Sequence, residues 1–351
     1  MRKPDKSIPV LAWNSIYIEL LNKCNLTCPY CYNSSCPENS DLLCFESVKS
    51  VVSEAHELGV KAIDLAGGEP CLYPNLLDLI RFIEGKGLEA WLITNATFVP
   101  NNYITDTSLS FQITLDGADA RTHGATRGSQ NFYDVLRFLD RIKKENAGDR
   151  VNLRFNLHMK NINQIQQMIA LACNYDIEKV AFSILHEIGR GVEIGNDINI
   201  HANRNLAKKL FQDLENIKKK YKNSIDISIP VPHLQYTCPL FSSNVRFNAK
   251  VDFKGNIFAC SLFSDPVQSL GHISDTRLAS SKISMKLSDL IQDITDAKKT
   301  SAKCTSCIMN SKCDGGCVAI YYEDIKEHEE ICRHIKSGLK SAALSAIKNR
   351  V

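Results

Sequence analysis

SIYIELLNKCNLTCPYCY, residues 15–32, carries the decisive signal of this chain. Its first half, SIYIELLN (15–22), reads as a β-strand. Its second half sets three thiols, Cys24, Cys28 and Cys31, with three and then two residues between them. A tight loop with this spacing directs three sulfurs at one centre. Iron–sulfur cubanes are held by cysteine thiolates, normally four. A local triplet leaves one iron without a protein ligand and open to a molecule that binds through nitrogen and oxygen. The alternative from spacing is a closed zinc site, for which Cys36 or Cys44 supplies the fourth ligand.

Outward from this segment, strand-like and helical runs alternate. FESVKSVVSEAHELG (45–59) has apolar positions at helical spacing and ends on glycine. VKAIDLAG (60–67) is a strand, NLLDLIRFIEGKG (75–87) a helix and LEAWLITN (88–95) a strand. SFQITLDG (110–117), VNLRFNLHM (151–159) and KVAFSIL (179–185) are further strands. Helices over 132–146 and 162–175 separate them, and a long amphipathic helix over 201–221 follows. Six such β/α units imply a parallel sheet with right-handed crossovers, as a partial barrel or an open doubly wound sheet. In either form the functional face lies at the C-terminal ends of the strands. Near residue 225 the pattern breaks. VRFNAKVDF (245–253) and NIFAC (256–260) flank a Lys-Gly turn as a hairpin, and cysteine-rich loops and a C-terminal helix follow.

The 351 residues are 44% hydrophobic and 23% charged, and 42 basic against 39 acidic side chains leave a formal charge of +3. This balance gives no ground for a nucleic-acid or membrane partner. No apolar run reaches the length of a signal peptide or a membrane span, so the expected compartment is the cytoplasm. In a reducing compartment fourteen cysteines are not explained by disulfides, and point to metal or catalysis. Cys173, in a helical run, is expected in the core.

The segment CNLTCPYC (24–31) resembles the cluster-binding motif of the radical S-adenosylmethionine (SAM) superfamily. The resemblance implies a [4Fe–4S] cluster on Cys24, Cys28 and Cys31 whose open iron chelates the amino and carboxylate groups of SAM. It further implies one-electron cleavage of SAM to methionine and a 5′-deoxyadenosyl radical, and hydrogen-atom abstraction from a substrate. Tyr30 then stands where the family's aromatic residue contacts adenine. DLAGGEPCLYPNL (64–76) is similar to the family's Gly-Gly-Glu motif, which binds the methionyl ammonium and falls here on Gly67, Gly68 and Glu69. By their own chemistry the two glycines let the backbone approach a ligand closely. Cys71, just after this motif, is either a packed thiol or one that approaches the site. Asn95 ends the third strand on the same rim. ITLDGADARTHGATRG (113–128) is similar to the family's Ser-Leu-Asp-Gly stretch, with Thr114 in place of serine, and contributes Asp116. Arg127 is placed to pair with the methionyl carboxylate. The loop HEIGRG (186–191) is a further candidate for ribose or substrate contact.

Seven cysteines follow residue 237. They exceed what one zinc needs, and two zincs need eight ligands, which His233 or His334 would complete. The order Cys238, Gly255, Cys260, Cys304, Cys307, Cys313, Cys317, Cys332 resembles the SPASM extension of a subset of radical SAM enzymes. The sixteen residues between Cys238 and Gly255 make a slightly longer gap than is common there. That resemblance implies one auxiliary [4Fe–4S] cluster on Cys238, Cys260 and Cys317, with its fourth ligand open. A second falls on Cys304, Cys307, Cys313 and Cys332. The two resemblances together imply an α/β chain: a partial (β/α)6 TIM-type barrel over 14–225 and a SPASM domain over 226–351.

SPASM relatives mostly modify peptides or proteins, so the expected substrate is a peptide or protein that gains a crosslink or thioether or is oxidised. A reductant such as flavodoxin or ferredoxin is the expected electron donor. The short stretch before the first strand leaves no room for a fused leader-binding domain, so a separate protein or direct recognition is expected. Sulfatase-maturing relatives place an aspartate just after the glycine-linked cysteine. Here Ser261, Leu262 and Phe263 follow Cys260, which argues against that subgroup. The alternatives are a radical SAM enzyme acting on a small metabolite and a non-enzymatic zinc or iron–sulfur scaffold.

Overall fold

The computed structural model describes residues 13–185, 188–195, 198, 204–230, 247–300 and 305. Strand and helix alternate as the sequence periodicity requires: β1 (Trp13–Glu19), α1 (Phe45–Glu57), β2 (Ala62–Ala66), α2 (Leu76–Gly85), β3 (Glu89–Thr94), α3 (Asn102–Thr105) and β4 (Ser110–Thr114). Then follow α4 (Ala120–Arg127), α5 (Ser129–Lys144), β5 (Val151–Leu157), α6 (Ile165–Asn174), β6 (Lys179–Ile184), α7 (Arg204–Tyr221) and β7 (Asp226–Ser228). The chain continues through β8 (Phe247–Val251), β9 (Asn256–Phe258), β10 (Gly271–His272) and α8 (Ser281–Thr300). Gly59 and Gly87, just past α1 and α2, sit at φ +70° and +74°, a conformation that ends a helix at little cost for glycine.

One ten-stranded sheet runs in the order β10-β9-β8-β1-β2-β3-β4-β5-β6-β7. From β1 to β7 every neighbour pairs parallel, the architecture of a partial TIM-type barrel. Two pairings go beyond the sequence reading. β7, three residues just past the expected boundary at 225, extends the parallel sheet beside β6; it is too short to show a period of its own. The hairpin of β8 and β9 forms as expected, and β8 lies parallel to β1, Tyr17 beside Lys250. The edge of β1 is thereby paired instead of exposed.

Side chains alternate across the sheet. Ile16, Ile18, Ile63, Leu65, Phe111, Ile113, Leu153 and Phe155 are fully buried members of the core. The opposite face carries Tyr17, Glu19, Gln112, Thr114, Arg154, Asn156 and Lys250. Parallel sheets covered on both faces normally read as continuous apolar runs. The polar positions here collect instead on the face that leads to the site.

Candidate active site

At the C-terminal ends of the strands a cavity of about 240 Å³ is bordered by Cys24, Cys28 and Cys31, which follow β1. All three are free thiols, the first two buried. Burial pushes the Cys24 thiol up to about 12 and raises Cys28 as well. A bare thiolate is therefore disfavoured here, and a bound cationic centre reverses that preference. Two donors already face Cys24 Sγ: the Leu26 N–H at 3.4 Å and Asn95 Nδ2 at 3.9 Å. Ser35 Oγ, buried and without a hydrogen-bond partner among the described residues, borders the same cavity. Thiols that share a cavity, N–H donors on sulfur and an orphaned hydroxyl fit an iron–sulfur cluster with a polar ligand beside it. Cys36 donates to Asn39 Oδ1 at 3.2 Å and Cys44 is exposed at the head of α1; neither borders the cavity as a fourth ligand.

Gly67 and Gly68 border the cavity too, but their small size answers a contact within the chain. A Cβ on Gly67 would collide with the Leu21 carbonyl, and one on Gly68 with the Lys23 carbonyl. Gly68 N–H and Glu69 N–H donate to those carbonyls at 2.7 and 2.8 Å. The glycine pair thus straps the loop that carries Cys24. Glu69 is fully buried behind it and is not among the residues bordering the cavity. Its carboxylate accepts from Thr94 Oγ1 at 2.6 Å, Asn95 N–H at 2.9 Å and Cys71 N–H at 3.1 Å. Burial raises its pKa against those bonds. Asn95 links this carboxylate to the Cys24 sulfur and to Asn25 Oδ1, 2.8 Å from its Nδ2. Cys71 packs behind the wall with its Sγ 3.8 Å from Thr94 Oγ1.

Beside the cysteine loop, Arg127 Nε donates to Asp116 Oδ2 at 2.8 Å and to Tyr30 Oη at 2.7 Å, and the Tyr30 hydroxyl donates to the same Asp116 oxygen. Burial alone would raise Asp116, but Arg127, His123 and Tyr30 hold it below the usual carboxylate range. Asp116 is completely buried, whereas Tyr30, Thr114 and Arg127 border the cavity. The aspartate therefore positions Arg127 and Tyr30 from behind.

The loop after β6 has a role that sequence reading missed. Arg190 Nε donates to the Cys28 carbonyl at 3.0 Å, Nη2 to the Ser35 carbonyl at 2.7 Å, and its N–H to the Cys31 carbonyl at 3.0 Å. Gly189, at φ +58°, has no room for a side chain against the Cys31 and Tyr32 carbonyls. The loop expected to contact ribose or substrate thus also braces the cysteine loop, and its Arg190 borders the cavity. Also missed is a buried network in which Tyr17 donates to Tyr32 (2.8 Å), Tyr32 to Glu19 (3.0 Å), and Lys250 pairs with Glu19 at 3.5 Å. A carboxylate inside the apolar run IYIELL was the signal available.

Of the second cysteine set only Cys260 is described; it follows β9, and its neighbours Ser261 and Leu262 border the cavity. Cys238, Cys304, Cys307, Cys313, Cys317 and Cys332 lie outside the described residues. Cys173 corrects an expectation: it is exposed. The buried stripe of α6 is Ile165, Met168, Ile169 and Ala172, and the next residue turns about 100° away from it.

Residues 18–172 match the radical SAM superfamily domain, and the fold and site described above agree with that match. Such a domain uses SAM and a [4Fe–4S] cluster. The chain is 24% identical over 316 residues to the mycofactocin maturase MftC of Mycolicibacterium smegmatis, covering 86% of this chain and 77% of that one. It is 27% identical over 219 residues to the Fe-coproporphyrin III synthase of Methanosarcina barkeri, covering 60% of this chain and about half, 53%, of that protein's length. The fold is similar to that of Streptococcus suis SuiB bound to its precursor peptide SuiA, with a TM-score of 0.73 at 16% identity over 93% of this chain and 77% of that one. No helix among the described residues is long and apolar enough to cross a membrane.

Proposed function

We propose that this protein is a radical SAM enzyme that abstracts a hydrogen atom from a peptide or protein substrate and so installs a post-translational modification. The observation that carries the reading is the set of three thiols around one cavity that is also lined by Gly67, Gly68, Asn95, Thr114 and Arg127. Bound to Cys24, Cys28 and Cys31, a [4Fe–4S] cluster supplies the electron that cleaves SAM into methionine and the 5′-deoxyadenosyl radical. The chain's own part is to hold and orient. Gly67 and Gly68 present backbone to the methionyl ammonium, Arg127 presents a guanidinium edge to the methionyl carboxylate, and Tyr30 and Thr114 flank the adenosyl group. Glu69 and Asp116 act from behind, fixing Asn95 and Arg127.

A peptide substrate is supported by what MftC and SuiB are named for: a maturase, and an enzyme bound to a precursor peptide. Cys260, with its neighbours on the cavity wall, supports an auxiliary cluster on Cys238, Cys260 and Cys317, and a second on Cys304, Cys307, Cys313 and Cys332. Residues 14–225 would then be the catalytic barrel and 226–351 the auxiliary-cluster domain, with flavodoxin or ferredoxin as reductant. A second reading, a small-metabolite substrate, is favoured by the match to Fe-coproporphyrin III synthase.

The test is anaerobic reconstitution followed by incubation with SAM, reductant and candidate peptides, read by mass spectrometry. The expected result is 5′-deoxyadenosine together with a peptide that has lost hydrogen or gained a crosslink. Turnover on a small metabolite with no peptide effect removes the peptide assignment, and no 5′-deoxyadenosine at all removes the reading. About twelve iron atoms per chain supports three clusters; about four removes the auxiliary pair.

A further inference from the structure

Among the described residues three arginines border the cavity, Arg127, Arg154 and Arg190, and no aspartate, glutamate or lysine does. Two of the three are committed. Arg127 is paired with Asp116. Arg190 spends Nε and Nη2 on the carbonyls of Cys28 and Ser35. Arg154 is different. Its Nε donates to Ser183 Oγ at 3.1 Å, and it meets no carboxylate within ion-pair distance among the described residues.

Its surroundings are built to hold it. Arg154 lies on β5, in register with Thr114 of β4 and Ala181 of β6, on the sheet face that borders the cavity. Ser183 passes the bond on, donating from its hydroxyl to Asn156 Oδ1 at 2.6 Å. That turns the Asn156 amide so that its Nδ2 faces Tyr30 Oη at 3.5 Å. With Nε tethered, both terminal nitrogens of Arg154 and their four N–H donors remain. Tyr17, close enough to feel the charge of Arg154, donates its own proton to Tyr32. An oriented guanidinium fork that meets no counter-charge, and a cavity lined by no carboxylate, among the described residues are matched to a carboxylate that accepts two parallel bonds.

We propose that Arg154 anchors a carboxylate of the substrate, an acidic side chain or a free C-terminus, beside the reacting position. The proposal rests on the radical SAM reading above and adds the class of substrate. SAM carries a carboxylate as well, but the cation on the cluster side is Arg127. Its guanidinium carbon is 5.5 Å from the centre of the Tyr30 ring, and its charge acts on Cys28. Arg154 lies on the strand face of β5, where Tyr17 is near enough to feel its charge. Two cations at two places suit two anionic groups bound together.

The experiment uses the reconstituted full chain with saturating SAM. Binding of four probes is followed by NMR or calorimetry: N-acetyl-glutamate α-amide, N-acetyl-glutamine α-amide, N-acetyl-tyrosine and N-acetyl-tyrosine amide. Expected is a preference of about tenfold or more for a carboxylate probe over its amide counterpart, and the pair that shows it identifies a side-chain or a C-terminal carboxylate. Arg154→Gln is expected to abolish the preference while SAM affinity stays within about twofold. Equal binding of acid and amide by the unsubstituted protein overturns the proposal. A loss of SAM affinity of about tenfold in Arg154→Gln, with the probe preference intact, also overturns it and gives Arg154 to SAM. If Arg154→Gln fails to fold, Arg154→Lys keeps the charge without the fork: a weakened preference supports the anchor, and an unchanged one overturns it. Formation of 5′-deoxyadenosine by the unsubstituted protein, measured alongside, tests the radical SAM reading separately.

Discussion

Arg190, on the loop after β6, donates from Nε to the carbonyl oxygen of Cys28 at 3.0 Å. The loop after β6 thus holds the loop after β1. With the bonds to Ser35 and Cys31, one residue fixes three points of the segment that carries the thiols.

Removing that brace tests it. Arg190→Ala eliminates two hydrogen bonds from a charged donor, worth about 1.5–3 kcal/mol each when intact. The loop is expected to hold cluster less well. Iron per chain after reconstitution and gel filtration should fall, and the rate of iron loss to a chelator should rise. Arg190→Lys, which keeps the charge without the fork, should fall between.

Gly68→Ala puts a methyl group against the Lys23 carbonyl, where there is no space for it. The loop must move or the bond from Glu69 N–H to Lys23 must break. The expected cost is about 2–4 kcal/mol of stability. Chemical denaturation of the apoprotein measures it, and iron loading should drop with it.

Glu19 and Lys250 are each about 1% exposed, and their ion pair bridges β1 and β8. Burial raises Glu19, and Lys250 opposes the rise. Taking away one partner leaves the other charge buried alone, so Lys250→Met is expected to cost about 3–5 kcal/mol. Glu19→Gln combined with Lys250→Met should be more stable than Lys250→Met by itself. A double-mutant cycle in urea checks the coupling.

His123 is fully buried, and burial pushes its pKa down to about 4 from 6.5. Its Nδ1 accepts the Asp116 N–H at 3.1 Å, so Nε2 carries the proton toward Asn131 Oδ1 at 3.0 Å. The folded state therefore binds fewer protons than the unfolded state between these pKa values. Stability is complete above about pH 6.5 and declines by as much as about 3 kcal/mol as pH falls toward 4. Melting temperature against pH should show this slope, and His123→Asn should flatten it.

Much of this was legible in sequence because it is local. The thiol spacing lies within eight residues, and the strand and helix periods lie within single segments, so α1, α2 and β1–β6 emerged within a few residues of where they stand. Three-residue β7 and four-residue α3 fall below the length at which a period can be seen. Cys173 was misplaced because a residue type that favours burial is overruled by its angular position on α6.

By itself the sequence determined the alternation of strands and helices and the close spacing of the three thiols Cys24, Cys28 and Cys31. Both depend on side-chain chemistry at short spacing. Only the tertiary structure decided that Gly68 exists to clear the Lys23 carbonyl, that Arg190 reaches back to Cys28, that Lys250 meets Glu19, and that Arg154 has no counter-charge in the cavity among the described residues. Those relations join residues far apart along the chain. They are set by which strands become neighbours in the sheet, and no period or motif records that.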